Sequence, residues 1–311
     1  MSREQWHAEI AITDEQVKNC LRDQFPALTP ITEIQCIGEG WDNKVFLVNE
    51  AIIFRFPRRH IAVALIEREN RILKNLSSLF SVTIPNPVYI GKPTDHYPYP
   101  FQGYYRINGV SGCQAQLSEQ DRSVSITTLA TFLKQLHAID ETQALTMGAE
   151  QQVFDRTDIH KMVNTLKERL DKISERKVCR INPVVFQQEI TTVLKIILLP
   201  QEKCLVHGDL YCRHLLFDQK QLIGIIDWGD VGINNRSEDL AVIWSFYPAS
   251  CHPAFFNIYG EVDVASWQYA RFLGLYSALT LILYGHDIND TLLVTEAINT
   301  IKRINAALLL D

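Results

Sequence analysis

The sequence predicts an α+β fold in two parts, a small β-rich half followed by a larger α-rich half. Three observations predict it: strand patterns cluster before residue 104, helical periodicity dominates after 109, and one hairpin pattern, HLLFDQKQLIGIID at 214–227, interrupts the helices. At 311 residues the chain exceeds one typical domain. The division expected is residues 1–103, a connecting stretch at 104–109, and 110–311.

The elements follow in order. Thr13 and Gln16 form a capping-box pattern for a helix from Asp14 to Phe25, with Ile12 and Val17 as its apolar staple. Strands are expected at ITEIQCI, KVFLVN and AIIFRFP, separated by the turn residues GEGWDN and NE. Apolar spacing at Leu65, Ile66, Ile72, Leu73 and Leu76 predicts a helix over 61–76. The proline-studded run 81–101 suits short strands joined by turns. Helical periodicity then marks LATFLKQLHAID, the stretch from Asp155 to Glu175, and VVFQQEITTVLKIIL. It returns in EDLAVIWSFY, with Ser237 as the expected N-cap, in DVASWQYARFLGLYSALTLIL and in TLLVTEAINTIKRINAALLL.

Composition excludes several classes. With 47% hydrophobic and 21% charged residues and a net charge of -6, the chain suits a cationic or neutral small partner better than nucleic acid. Seven scattered cysteines without a C-x-x-C pair argue against a disulfide framework or zinc site and for a reducing cytoplasm. The charged start MSREQWHAEI lacks the apolar core of a signal peptide, and LGLYSALTLILYG is too short to span a bilayer.

The chemistry concentrates in VHGDLYCRHLLFDQKQLIGIIDWGD, residues 206–230. Asp209 and Asp227 each follow an apolar strand, 18 positions apart, and His207 and His214 crowd the same strand ends. Charges flanked by Ile, Leu and Val need a partner, and a cation is the natural one. One carboxylate over a hydroxyl and another on a metal are the minimal parts for moving a phosphoryl group.

The order of parts resembles the aminoglycoside phosphotransferases, the antibiotic kinases that share the two-lobed fold of protein kinases. The residues carrying the resemblance are IGEGWDNKVFLV, FRFPRR, ERENRIL, PFQGYYRINGV, LATFLKQLH, HGDLYCRHLLFD and IIDWGD, in the family's order. The detailed pattern is most similar to the 2''-type enzymes, with some resemblance to macrolide 2'-phosphotransferases. The resemblance implies a nucleotide- and Mg²⁺-dependent transfer from ATP or GTP to a hydroxyl of a small molecule. An aminoglycoside is the first choice of acceptor, a macrolide or other metabolite the second. A nucleotide-binding pseudokinase is the reading from a different class.

The resemblance also implies roles. Asp209 orients the acceptor hydroxyl and takes its proton, and Asp227 binds magnesium. His214, where the wider family has asparagine, is a second metal ligand or a loop-ordering residue. His207 ties the loop to backbone carbonyls. Gly38, Gly40 and Asn43 lie in the loop offered to the triphosphate, and Arg55 holds phosphates with Glu69 or Glu67 as its helical partner. Tyr104 stands as gatekeeper, or as a core aromatic, while the Tyr105 carbonyl and Ile107 amide bond the purine. A bulky gatekeeper goes with use of GTP. Asp230, Glu238 and Trp267 are the candidate acceptor contacts, with Asp239, Glu261 and Asp263 as nearby acids and Asp239 the more structural of them.

Overall fold

The computed structural model describes residues 8–152, 158–196 and 203–309. These divide into two units: the first ends at Asn108 and takes in Asp227–Asp230, and the second comprises Gly109–Ile226 and the chain from Val231 onward. The α+β expectation holds, with a sheet unit and a helical unit.

In the first unit, helix α1 (Asp14–Gln24) starts on the reciprocal Thr13–Gln16 capping box the sequence encodes. Strands β1 (Ile34–Glu39), β2 (Asn43–Val48) and β3 (Ile52–Pro57) precede helix α2 (Ile61–Leu76), then β4 (Tyr89–Gly91) and β5 (Phe101–Tyr105). The five strands pair antiparallel in the order β1-β2-β3-β5-β4. One sheet face buries Phe46, Phe54, Phe56 and Phe101 with Val17 and Leu21 of α1. That face explains α1: burial of its apolar side, rather than propensity, stabilises so short a helix. The other face carries Leu47, Ile53 and Tyr104, with Arg55 opposite Gln102 in register.

The second unit opens with β6 (Val110–Ser111), α3 (Glu119–His137), α4 (Glu141–Thr146), α5 (Ile159–Glu175) and α6 (Val184–Val193). It continues through β7 (Cys204–Val206), β8 (Leu215–Asp218), β9 (Gln221–Ile225) and β10 (Gly232–Asn234) to α7 (Ser237–Phe246), α8 (His252–Tyr259), α9 (Val264–Asp287) and α10 (Thr291–Leu308). The expected helical starts and ends at 155–157, 197–198 and 310 lie outside the described residues. Strands β8 and β9 form the hairpin read from the sequence, β6 adds to its edge, and β7 pairs with β10.

Ser237 is not the cap of α7. Arg236 holds that position without a side-chain cap bond; the Asn235 side chain accepts the Ser237 N–H at 2.8 Å, while the buried Ser237 hydroxyl donates to Ser266 O at 3.1 Å. Helix α9 buries 14 of its 24 residues, which accounts for its apolar composition. No helix among the described residues is long and apolar enough to cross a membrane.

Candidate active site

In the first unit a charged cluster stands on the sheet face opposite the aromatic core. Arg55 donates from one nitrogen to both oxygens of Glu69, at 2.5 and 2.8 Å, and from the other to Asp227 at 2.6 Å. The helical partner is therefore Glu69; Glu67 lies on the exposed side of α2. Burial works against the Arg55 charge, but the carboxylates of Asp227 and Glu69 outweigh it and hold the guanidinium protonated. Burial pushes the Glu69 carboxyl up, opposed by Arg55 and by a hydrogen bond from the Trp228 backbone.

Three further contacts fasten the segment around Asp227 to the sheet unit. Trp228 N–H reaches Glu69, Arg68 donates to Gly229 O at 2.9 Å, and the buried Trp228 ring stacks on Phe80. Asp227 itself has a φ of 65°, a left-handed conformation that a non-glycine residue keeps only where its surroundings over-determine it. Its side chain stays 46% exposed. A carboxylate oriented by an arginine, with open surface on its other side, is suited to a hard cation.

The loop between β1 and β2 turns tightly through a Gly40 N–H bond to Asn43 O at 2.9 Å. A side chain at Gly38 would meet nothing within 4 Å, so this side of the loop is open to a ligand. Asp42 pairs with Arg59 at 2.7 Å, and burial pushes its carboxyl up. Asn43 Oδ1 is buried without a hydrogen-bond partner. Further along the sheet, Tyr104 is 6% exposed beside Leu47 and Ile53, Tyr105 is exposed, and Ile107 is half-buried.

In the second unit the loop after β7 is held from below by Asp239. This fully buried carboxylate of α7 accepts the N–H groups of His207 and Gly208 at 2.8 and 2.9 Å and lies 3.1 Å from His137 Nε2. Burial alone would raise its pKa; the histidines and backbone donors overcome that and lower it. Asp239 is thus structural, the role the sequence reading favoured.

His207 is bonded at both ring nitrogens. Ile226 O, 3.0 Å away, can only accept, so Nε2 carries the proton and Nδ1 accepts the Asp209 N–H at 3.3 Å. Its expected part of tying the loop to a backbone carbonyl is what the geometry shows. His214 Nδ1 donates to Asp209 O at 2.7 Å, which in the neutral ring leaves the lone pair on Nε2, the nitrogen a metal would take. Asp209 itself is 44% exposed, its carboxylate 3.7 Å from His214 Nδ1. The loop therefore presents an accessible carboxylate on a backbone fixed at four points.

The acceptor candidates are placed less tellingly. Asp230 falls in the first unit; Glu238 is 5% exposed in the first turn of α7. Trp267 packs against Trp244, His252 and Phe256. Asp263 caps α9 through Ser266 N–H at 2.9 Å. Sequence reasoning missed Arg68 and Trp228, which lie inside ERENRIL and IIDWGD and fix Asp227 through contacts no linear pattern displays.

A model of the phosphotransferase enzyme family matches residues 33–273. An aminoglycoside 3'-phosphotransferase of Escherichia coli is 30% identical over 139 residues, 43% of this chain and 49% of that protein. The chain thus spans about half the length of the curated relatives it matches. Among solved structures, the GDP complex of wild-type aminoglycoside 2'-phosphotransferase-IIIa superposes with a TM-score of 0.67 at 23% identity, covering 94% of this chain and 98% of that one. The gentamicin complex of APH(2")-IIa gives 0.59 at 21%, covering 94% and 97%. A macrolide 2'-phosphotransferase from Brachybacterium faecium gives 0.57 at 18%, covering 86% and 91%. At these identities the likeness shows a shared fold.

Proposed function

The chain belongs to the phosphotransferase enzyme family, and from that membership we propose that it moves the γ-phosphoryl group of ATP or GTP to a hydroxyl of a small molecule, an aminoglycoside in the first instance. The observation that carries the reading is Asp209: an accessible carboxylate on a loop pinned by Asp239, His207 and His214. Its part is to orient the acceptor hydroxyl and receive its proton. Residues 1–103 are assigned to the nucleotide and 104–109 to the hinge, where the Tyr105 carbonyl and Ile107 amide meet the purine. Residues 110–311 are assigned to catalysis and the acceptor. Gly38, Gly40 and Asn43 offer the open side of their loop to the phosphates, and Arg55, set by Glu69, supplies positive charge beside them.

Asp227 and His214 are the residues for magnesium. Taken separately, the half-exposed Asp227 carboxylate is the oxygen ligand magnesium prefers, and the His214 imidazole, its Nδ1 proton committed to Asp209 O, offers the softer Nε2. When bound, the ion would neutralise charge on the phosphate oxygens. Asp230, Glu238 and Trp267 are assigned to the acceptor. Relatives solved with kanamycin and gentamicin support the aminoglycoside reading, and a macrolide 2'-phosphotransferase of the same fold supports a macrolide as the second. The seven cysteines, all unpaired, support a cytoplasmic location.

Coupled nucleotide turnover with aminoglycoside and macrolide panels tests the proposal. Asp209→Ala should reduce turnover by about 10²–10⁴-fold, the usual contribution of a positioned base. Full activity in that variant would sink the assignment.

A further inference from the structure

Two cysteines meet within the second unit, one of them inside the loop that carries Asp209. Cys113 follows β6, and Cys212 lies between Asp209 and His214. Their thiols adjoin and influence each other's ionisation, and Ser111 Oγ stands 3.2 Å from the Cys113 sulfur. The backbones touch as well: Gly112 N–H donates to Cys212 O at 2.8 Å and to Leu215 O at 2.9 Å. This approach requires glycine, since a side chain at 112 would lie 2.8 Å from Cys212 O and 2.9 Å from the Phe246 ring. A disulfide needs Cα atoms about 4–7 Å apart, and the approach of Gly112 to Cys212 brings Cys113, the next residue, toward that range.

We propose that Cys113 and Cys212 form a redox modification site, a dithiol that a peroxide-class oxidant converts to a reversible disulfide linking β6 to the catalytic loop. The chemistry balances with hydrogen peroxide as the two-electron acceptor. The Cys113 thiolate attacks one peroxide oxygen, the O–O bond breaks, and sulfenic acid and water form after proton uptake. The Cys212 thiol then attacks the sulfenic sulfur, making the S–S bond and expelling a second water. Cys113 suits the first step: hydrogen bonds from Cys212 and Ser111 hold its thiol down to about 7 against the pull of burial. At 8% exposure it is shielded from bulky reagents but reachable by a molecule the size of peroxide. In a reducing compartment the bond would be transient, as regulatory disulfides are.

The consequence for activity rests on the proposed function. Cys212 sits within the turn closed by the His214 Nδ1–H bond to Asp209 O, so drawing its sulfur toward Cys113 re-aims both flanking residues. A displacement of about 1 Å at a reacting group costs on the order of 10²-fold in rate.

The test separates the chemistry from the activity. The full chain is exposed to hydrogen peroxide, remaining thiols are alkylated, and a non-reducing tryptic digest is read by mass spectrometry. Expected is a linked pair of peptides 107–122 and 204–213, two hydrogens lighter than their sum apart from the alkyl group on Cys204, with fragmentation placing the bond at Cys212 rather than Cys204. The pair should vanish with dithiothreitol and be absent from Cys113→Ser and Cys113→Ala. If Cys113 and Cys212 are alkylated or over-oxidised without linking, the site does not exist, whatever the enzyme's activity. Nucleotide turnover should fall about 10²-fold with linkage and recover on reduction, while Cys113→Ser retains its rate under the same exposure. Reversible inactivation of Cys113→Ser equal to the wild type would overturn the link between this disulfide and the loop.

Discussion

Asp227 lies 2.6 Å from the Arg55 guanidinium while holding a left-handed backbone with φ of 65°. The strained aspartate and the buried arginine fix each other, and Glu69, 1% exposed on its side chain, completes the set. The pairing also explains why Asp227–Asp230 packs with the sheet unit although most of the neighbouring sequence belongs to the other.

Arg55→Ala strands the Glu69 carboxylate in a dry interior. Breaking a buried pair from one side costs about 3–5 kcal/mol, most of it here on Glu69 because Asp227 is half in water. Arg55→Lys restores the charge but not the fork, so it should recover only part of the loss. Urea unfolding of both variants measures this; equal stability of Arg55→Ala and wild type would show the cluster contributes nothing.

His207 makes stability depend on pH. Burial lowers its pKa below the ordinary histidine value, because the enclosed ring resists protonation. The unfolded chain therefore binds the proton first, and stability falls as pH drops below about 6.5, by up to about 1.4 kcal/mol per pH unit. Chemical denaturation at pH 7.5 and 5.5 should show the loss, and His207→Asn should remove that part of the slope. An unchanged slope in the variant would place the sensitivity elsewhere.

Arg213 and Asp290 are joined at 2.5 Å, and Asp290 also caps α10 through Leu293 N–H at 2.9 Å. The two roles separate by substitution. Asp290→Asn keeps an oxygen for the cap and loses the partly exposed ion pair, costing about 0.5–1 kcal/mol. Asp290→Ala loses both, adding about 1 kcal/mol for the cap. Thermal melts should rank the variants in that order, with Arg213→Ala close to Asp290→Asn; coincident melts for the two Asp290 variants would rule out the cap.

Legibility followed the range of the physics. The α1 capping box and α2 show in the sequence because caps and periodicity act within a few residues. The β8–β9 hairpin was equally local. Arg55 and Asp227, 172 positions apart, were each singled out, but their bond depends on three contacts that no spacing encodes. That Ser237 does not cap α7 has the same origin, since Ser266 of α9 claims its hydroxyl. Glu238 and Trp267 read as polar and aromatic handles, yet tertiary packing places one at 5% exposure and the other among aromatic rings.

Tyr104 bears on nucleotide choice. Its ring lies on the same sheet face as Leu47, Ile53 and Arg55, and burial pushes its phenol well up, so it stays neutral. On the proposed reading of 104–109 as the purine-binding hinge, a neutral, bulky side chain there would limit how deep a purine sits. Tyr104→Met replaces a rigid ring with a flexible chain and should open that space. Differences of this steric kind are worth about 1–3 kcal/mol, so the ratio of kcat/KM for ATP over GTP should rise by about tenfold or more. Tyr104→Phe keeps the bulk without the hydroxyl and should leave the ratio near the wild-type value. Steady-state kinetics with both nucleotides decides: a Tyr104→Met ratio equal to wild type would make Tyr104 a core aromatic with no part in base selection.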